Sequence, residues 1–354
     1  MNMRFHLLAP PNVQTTAAYS LDGFCVATIR FAKLLKALGH HVTLYASEEN
    51  EAPCDELVSV ITKEEQVAML DGTPYQYAAM KGIMPLWTLA NQRMIREIGK
   101  RKQPRDFLCT IGGTSQKSVA DAHPDLMCVE YSIGYVASFA RYRVYQSHAW
   151  RHCTQGCLED GRFFDTVIPY FFDPSEFQFR EVKEPFALYV GRLTPRKGIG
   201  MACQAARAAG MPLKVIGHGD ASLVTHGAEY LGSLPDAERN DWMSRASALI
   251  CPTLYLEPFG SMAVEAQLCG TPVVSTDFGA FVETVEHGGT GFRCNYLGEF
   301  VRGLRNSDTL SPSHIRARAV SKYDMSHIKH DYQRYFDRLD LLWDKGWNTV
   351  ERNL

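Results

Sequence analysis

Apolar residues occur along the chain in short blocks whose spacing alternates between strand-like and helix-like. MRFHLLA (3–9) is a compact apolar run that predicts a first strand. A polar loop follows, and then Phe24, Ala27, Phe31, Leu34, Leu35 and Leu38 recur at helical spacing. Gly39 stands just past that helix, where a C-terminus favours glycine. HVTLYA (41–46) is a second strand. Units of this strand–loop–helix–strand kind build parallel sheets. Residues 50–105 are less regular, with helical stretches near 63–70 and 87–101. DFLCTIGG (106–113) and DLMCVEY (125–131) read as further strands.

TVIPYFFDPSEF (166–177), with its two prolines, reads as a connection, and the pattern then restarts. FALYVG (186–191) is a strand followed by the loop GRLTPRKG, a helix over 200–210 and the strand PLKVIGHGD (212–220). A helix over 236–247, the strand ALICPT (248–253), a helix over 259–270 and the strand TPVVST (271–276) complete the second series. From Ser321 to the end runs an amphipathic helical stretch with Ile328, Tyr332, Tyr335, Phe336, Leu339 and Leu342 on its apolar face. The expected fold is α/β: two Rossmann-like domains facing across a cleft. Their expected bounds are 1–170 and 171–322, with 323–354 a closing helix.

Composition narrows the classes. With 45% hydrophobic and 21% charged residues in 354, the chain is globular and long enough for two cores. A net charge of −2 gives no global field toward nucleic acid or an anionic membrane. No stretch of about 18 apolar residues occurs and the start, MNMRFHLLAPPN, lacks a signal-peptide core, so the ten cysteines are expected as reduced thiols of a cytoplasmic protein. His148, His152, Cys153 and Cys157 resemble a metal cluster only superficially. On a helix the two histidines share a face, and the cysteines lie roughly 100–180° away. No metal is expected.

The candidate chemistry sits in the loops. In LEPFGSMAVEAQLCG (256–270), Glu257 precedes a helix, Glu265 lies within it, and Pro258 suits its opening turn. Gly260 and Ser261 let a ligand approach the backbone, and helix-start N–H groups bind phosphate. Taken alone, two glutamates on a surface helix are more readily solvated than functional. GRLTPRKG (191–198) places Arg192, Arg196 and Lys197 in one loop after a strand, where open α/β sheets bind ligands. Such cations suit a diphosphate, although a solvated basic turn reads the same way. Gly23 precedes the first helix and offers a further backbone approach to phosphate. The dinucleotide pattern G-x-G-x-x-G is absent there, which disfavours nicotinamide and flavin enzymes.

Together YVGRLTPRKG, VIGHGD, YLGSLPDAE, ICPTLYLEPFGSMAVEAQLCGTPVVST and GAFVETVEHGGTGF resemble the family-4 retaining glycosyltransferases of GT-B fold, in that family's order from about 186 to 295. The resemblance implies a nucleoside-diphosphate sugar donor and transfer of a hexose-type sugar to a hydroxyl acceptor. It implies retention of configuration and no cofactor or bound metal; a UDP-sugar is favoured over a GDP-sugar. Glu257 is similar to the glutamate that holds hydroxyls of the transferred sugar, and Glu265 to the one that binds the ribose. Arg192 and Lys197 match the pair that grips the diphosphate. Phe259, Gly260 and Ser261 match backbone donors near sugar and phosphate, and Gly232 and Leu234 fall where the base packs. DGFCVATIRFAKLLKALGHHVTLYA looks like the family's opening loop, helix and second strand, and the tail SKYDMSHIKHDYQRYF resembles its C-terminal helix, which implies that 323–354 crosses back onto the first domain.

The first half departs from the family. The histidine that many members carry after the strand DFLCTIGGTSQK is missing, and His123 stands too far along to replace it. Glu130, placed at a strand's carboxyl end, is the candidate acceptor-side or base residue, against the alternative of a salt-bridged structural carboxylate. Arg93, Arg96, Lys100, Arg101, Lys102 and Arg105 crowd one segment against a single Glu97. That run is a candidate patch for a phosphate-rich acceptor, either a lipid headgroup or a modified nucleic acid, unless it is a solvated helix end. Glycan and small-molecule acceptors stay open, as does peripheral membrane contact. The rival functions are a nucleotide-sugar epimerase and a catalytically silent nucleotide-sugar-binding protein.

Overall fold

The computed structural model describes residues 2–72, 84–158 and 162–345. They form two compact units: Met1–Tyr145 with Leu158–Ile168 and Ile328–Leu354, and Gln146–Cys157 with Pro169–His327. The segment 146–157, counted with the first half on sequence, falls in the second unit.

The first unit is built on β1 (Arg4–Leu8), β2 (His41–Ser47), β3 (Glu56–Ile61), β4 (Phe107–Thr110), β5 (Met127–Ile133), β6 (Tyr142–Tyr145) and β7 (Thr166–Val167). The strands are parallel in the order β3-β2-β1-β4-β5-β6-β7. Strand alternation sends Phe5 and Phe107 to one face and Leu8 and Leu108 to the other. The first face receives the C-terminal helix, where Phe336 is wholly buried with its ring 4.7 Å from Phe5 and 5.2 Å from Phe107. The second receives Leu86, Ala90, Met94 and Ile98 of the helix Met84–Arg101. Both faces are covered, so the inner strands are apolar throughout.

The second unit is built on β8 (Glu184–Val190), β9 (Leu213–Ile216), β10 (Glu229–Gly232), β11 (Ala246–Cys251), β12 (Val273–Thr276) and β13 (Gly291–Cys294). Their order is β10-β9-β8-β11-β12-β13, again all parallel. Ala202, Cys203, Ala205 and Ala206 of the helix Ile199–Ala209 pack on one face with Phe300 and Leu304. In each sheet the strand order reverses beside the first strand, at β1/β4 and at β8/β11. Open α/β sheets bind ligands outside the carboxyl ends of the strands at such a point.

The amphipathic stretch expected from Ser321 is two helices, Pro312–Tyr323 and Met325–Lys345. They part at Asp324, whose backbone is extended because Phe172 pairs with Tyr323 and Met325 on either side, at 2.9 Å each. All six predicted apolar positions of the second helix are buried, and residues beyond Lys345 lie outside the described set.

Glu130 differs from its expected role. It lies in the middle of β5 and is fully buried. Its Oε1 accepts from the Tyr135 hydroxyl at 2.8 Å, and its Oε2 from the backbone N–H of Phe139 at 2.9 Å and of Ala140 at 3.0 Å. Burial pushes its pKa up, while these three donors and Arg143 oppose the shift. The side chain ties the loop after β5 to the sheet, and both oxygens are engaged in doing so. It is a loop brace, not an open base. Glu130→Ala strands three donors, and at about 1–3 kcal/mol for a buried unsatisfied group it is expected to cost roughly 3 kcal/mol. Glu130→Gln keeps an oxygen for the two amides and should cost far less. Chemical denaturation of both variants checks this; equal stability, with activity lost in the Gln variant, would restore Glu130 as a base.

Candidate functional site

At the switch point of the second sheet, two loops leave β8 and β11 side by side. The β8 loop ends in a 3-10 turn, Pro195–Lys197, and Gly198 at φ +76°. A Cβ on Gly198 would stand 1.9 Å from the carbonyl oxygen of Pro252. Only glycine permits both this left-handed backbone and this approach. The Leu254 N–H donates to the Arg196 carbonyl at 2.9 Å and closes the contact. The basic turn is therefore pressed against the exit of β11.

That contact brings Lys197 to Glu257, with Nζ 2.7 Å from Oε2 and side-chain exposures of 19% and 12%. The Tyr255 hydroxyl donates to the other oxygen, Oε1, at 3.3 Å. The Tyr255 ring carries the Arg196 guanidinium at 4.1 Å and the Lys197 ammonium at 5.1 Å from its centroid. Burial pulls the Lys197 pKa down, but Glu257 and Tyr255 outweigh it and the net shift is upward. Lys197 is thus a held cation at neutral pH. Tyr255 was not singled out on sequence, although an aromatic residue two positions from a motif glutamate is within reach of it.

Both helices beginning here lack a side-chain cap. Ile199–Ala209 starts at Gly198 and Ser261–Leu268 at Gly260, both left-handed glycines. The first N–H groups of a helix have no partner within it and carry partial positive charge. They stand at the same end of the sheet as Lys197, whose charge Glu257 balances, and the exposed Arg192. Arg192 also lies close enough to His218, in the β9 loop, to add to the burial that lowers that histidine's pKa.

Glu265 sits in the second turn of Ser261–Leu268, 5% exposed, with Oε2 3.6 Å from Arg239. Arg239 was not anticipated because it lies in another helix, Asp236–Arg245. The Phe259 ring is buried among Tyr170, Phe172 and Tyr323, so only its backbone is available to a ligand. Gly232 closes β10 with its carbonyl on the Gly217 N–H, and Leu234 is half-buried beyond it. Pro258 does not open the helix as expected: it lies ahead of the Gly260 cap, and its carbonyl accepts from the Ser147 hydroxyl at 2.6 Å.

Two further expectations change in the first unit. Gly23 begins the helix Gly23–Ala37, but Asp22 Oδ1 already accepts from Phe24 N and Cys25 N at 2.9 Å each. A carboxylate occupies the donors that a phosphate was expected to use. A Cβ on Gly23 would meet nothing within 4 Å, so glycine is not required there by space. In the loop after β4, where the family histidine is missing, buried Gln116 accepts from Ile111 N at 3.0 Å and Gly112 N at 2.8 Å.

The basic segment is also not a free patch. Arg93 forms two bonds of 2.7 Å to Glu65. Arg96, Lys100 and Arg101 converge on Glu97, and Arg101 reaches Glu56 as well at 2.8 Å. Lys102 meets Asp125, and Arg105 meets Asp340 and Asp344. Besides Glu97 the fold brings in five carboxylates, Glu65, Glu56, Asp125, Asp340 and Asp344, so every cation of the run has an acidic partner. The expected field toward a polyanion is cancelled locally.

Among the described residues no group of three or more His, Cys, Asp or Glu side chains is placed to hold a metal ion. His148 and His152 share a helix face with ring centroids 6.3 Å apart, and the Cys157 side chain lies outside the described set. No helix among the described residues is long and apolar enough to cross a membrane.

Comparison with known proteins places this geometry. Residues 172–295 match the family model described as Glycosyl transferases group 1. The chain is 35% identical over 114 residues to a phosphatidyl-myo-inositol mannosyltransferase of Propionibacterium freudenreichii, a match covering 30% of each chain. Such alignments span less than half the length of these curated relatives. Solved structures extend the likeness in fold to nearly the whole chain. A glycosyltransferase involved in avilamycin A biosynthesis superposes with a TM-score of 0.71 at 19% identity, covering 96% of this chain and 98% of that one. HepE of Anabaena, solved with UDP-glucose, superposes with a TM-score of 0.67 at 17% identity, covering 96% and 100%. The two parallel-sheet units have the GT-B glycosyltransferase fold, and residues 172–295 are similar to the Glycosyl transferases group 1 family.

Proposed function

We propose that the protein is a retaining glycosyltransferase that moves a hexose-type sugar from a nucleoside-diphosphate sugar to a hydroxyl acceptor without a bound metal. The observation that carries this reading is the Lys197–Glu257 pair between two uncapped helix starts. A diphosphate needs cations and N–H donors, and a sugar needs carboxylate acceptors; here they stand within one site. In this reading Lys197 and Arg192 hold the diphosphate, and Gly260 and Ser261 offer it the helix-start amides. Glu257 accepts from sugar hydroxyls. Glu265, steadied by Arg239, accepts from the ribose, and Gly232 and Leu234 border the base. Uridine is favoured because HepE, of the same fold, was solved with UDP-glucose.

The bond between the anomeric carbon and the diphosphate oxygen breaks, and a bond from that carbon to the acceptor oxygen forms on the same face. The acceptor's proton passes to the leaving phosphate. Negative charge grows on the diphosphate as the bond opens, and Lys197, Arg192 and the two helix starts stabilise it electrostatically. This assigns the positive charge to the protein itself, and no separate strong base is invoked. The paired basic segment of the first unit removes the reason to favour a polyanionic acceptor, so a hydroxyl on a neutral acceptor fits better.

A panel of labelled nucleotide sugars, assayed for nucleotide release and sugar transfer, tests the proposal; absence of both with every donor would refute it. Lys197→Ala is expected to lower kcat by about 10²–10³-fold, the scale for losing one transition-state donor. Glu265→Ala should instead raise the donor KM by roughly 10–100-fold, as for a lost hydrogen bond to a charged group. Initial-rate kinetics separate the two effects.

A pH profile gives a further check. Lys197 has its pKa raised, so it stays charged through the ordinary lysine range and turnover that depends on it falls only above that range. Glu257→Gln removes the leading charge that raises it and leaves burial, which lowers it. The alkaline limb of the residual kcat should move to lower pH. An unmoved limb would exclude Lys197 as the titrating group.

A further inference from the structure

Three connections form a ring around the Glu257 loop, all within the second unit. The Ser147 hydroxyl donates to the Pro258 carbonyl at 2.6 Å and accepts from Trp150 N at 3.0 Å. Ser147 thereby caps the helix His148–Leu158 and grips the residue next to Glu257 with one oxygen. The start of the same helix donates His148 N and Ala149 N to the Glu283 carboxylate at 3.0 and 2.8 Å. Glu283 belongs to the short helix Phe281–Thr284, and the residue just ahead of that helix, Ala280, donates its N–H to the Glu257 carbonyl at 3.0 Å. Beside it Gly279, at φ +63°, lies so near that a Cβ there would stand 2.9 Å from Glu257 N.

We infer that Ser147 is a positioning residue for Glu257, setting the register of its loop against Lys197 through the Pro258 carbonyl. The inference rests on the role given to Glu257 in the proposed function. Its physical basis is over-determination. The Glu257 side chain is held at both oxygens, by Lys197 and Tyr255, and its own carbonyl is held by Ala280. Ser147 holds the following residue, and proline restricts φ at that point. Ser147 is 2% exposed, and its proton has one acceptor in reach that belongs to the site. Without that bond the segment between Tyr255 and Gly260 loses its carbonyl tie at Pro258 and keeps the one at Glu257, to Ala280. Glu283 is the second positioning residue: it fixes the helix that carries Ser147 to the turn that carries Ala280.

A purely structural cap would alter stability alone. Positioning alters the Lys197–Glu257 distance, and so the proton affinity of Lys197. The groups facing Lys197 are Glu257, Tyr255 and Arg196 from its own loop and the β11 exit, with the buried Cys251 thiol of β11 and the Tyr189 hydroxyl of β8 beside it, and none of them is changed by substituting Ser147. The test is the pH dependence of Lys197 acylation, followed by peptide mass spectrometry on the full chain, which needs neither donor nor acceptor. Ser147→Ala is expected to shift the onset of Lys197 labelling to lower pH, and Ser147→Thr, which keeps the hydroxyl, to restore it. Where donor turnover is measurable, Ser147→Ala should lower kcat by about tenfold or more with donor KM little changed, as misplacing a site group does.

Wild-type labelling in a folded Ser147→Ala protein would overturn the inference. If that variant does not fold, Ser147→Cys keeps the size while weakening the donor and takes its place with the same criterion. The proposed function fails separately: transfer unaffected by Lys197→Ala or Glu257→Gln would refute that reading whatever Ser147 does to the labelling.

Discussion

The close packing of Gly198 against the Pro252 carbonyl is the constraint on which the site depends. It forces the β8 loop onto the exit of β11, and the Lys197–Glu257 pair follows from it. A pair this sheltered is not an evident gain in stability, because desolvating two charges offsets most of their attraction. Its arrangement makes more sense as a stored site charge. Under the proposed function, the ammonium is kept protonated by a carboxylate that turns to sugar hydroxyls once a diphosphate supplies the compensating charge. Tyr255 completes the arrangement by holding the second carboxylate oxygen.

The two sheets share one topology but treat the helix start at their switch points in opposite ways. In the first unit Asp22 caps the helix after β1 and fills its donors with a carboxylate. In the second, glycines at 198 and 260 leave the equivalent ends without a side-chain cap. One fold thus yields an end already neutralised by its own chain and an end open to an external anion. The difference rests on the residue at each cap position, not on the sheets.

How much of this was legible in the sequence follows the range of the interactions. The parallel sheets, the loop after β8 and the Glu257–Glu265 segment were readable because their signals are local: spacing, glycines and cations in one stretch. The Asp22 cap was equally local, since aspartate ahead of a helix is a favoured N-cap, and attention to Gly23 obscured it. The edge strand β3, ELVSVI, was not recognised; its outer positions are partly exposed and its apolar run is short. The basic segment misled because its partners are distant. Arg105 pairs with Asp340 and Asp344, and Arg101 with Glu56, so that the charges cancel only after folding. Glu130 misled for a related reason: its backbone donors lie in a loop with no pattern of its own.

The helix His148–Leu158 ties these observations together. On sequence it drew notice for histidines and cysteines, yet its chemical contribution lies at its first turn. There Ser147 and the backbone of His148 and Ala149 meet Pro258 and Glu283. Helix-start amides that lack a side-chain cap at Gly198 and Gly260 are here filled by a carboxylate, so this helix end serves as an anchor and not as an anion site. The same physical feature, unsatisfied N–H groups at a helix start, thus has two uses within one unit. In the proposed reading it is open where a diphosphate would bind, and it is closed beside the loop bearing Glu257. A sequence rule that reads every such helix start as a phosphate site overlooks the residue that decides between them, the presence or absence of a carboxylate within reach.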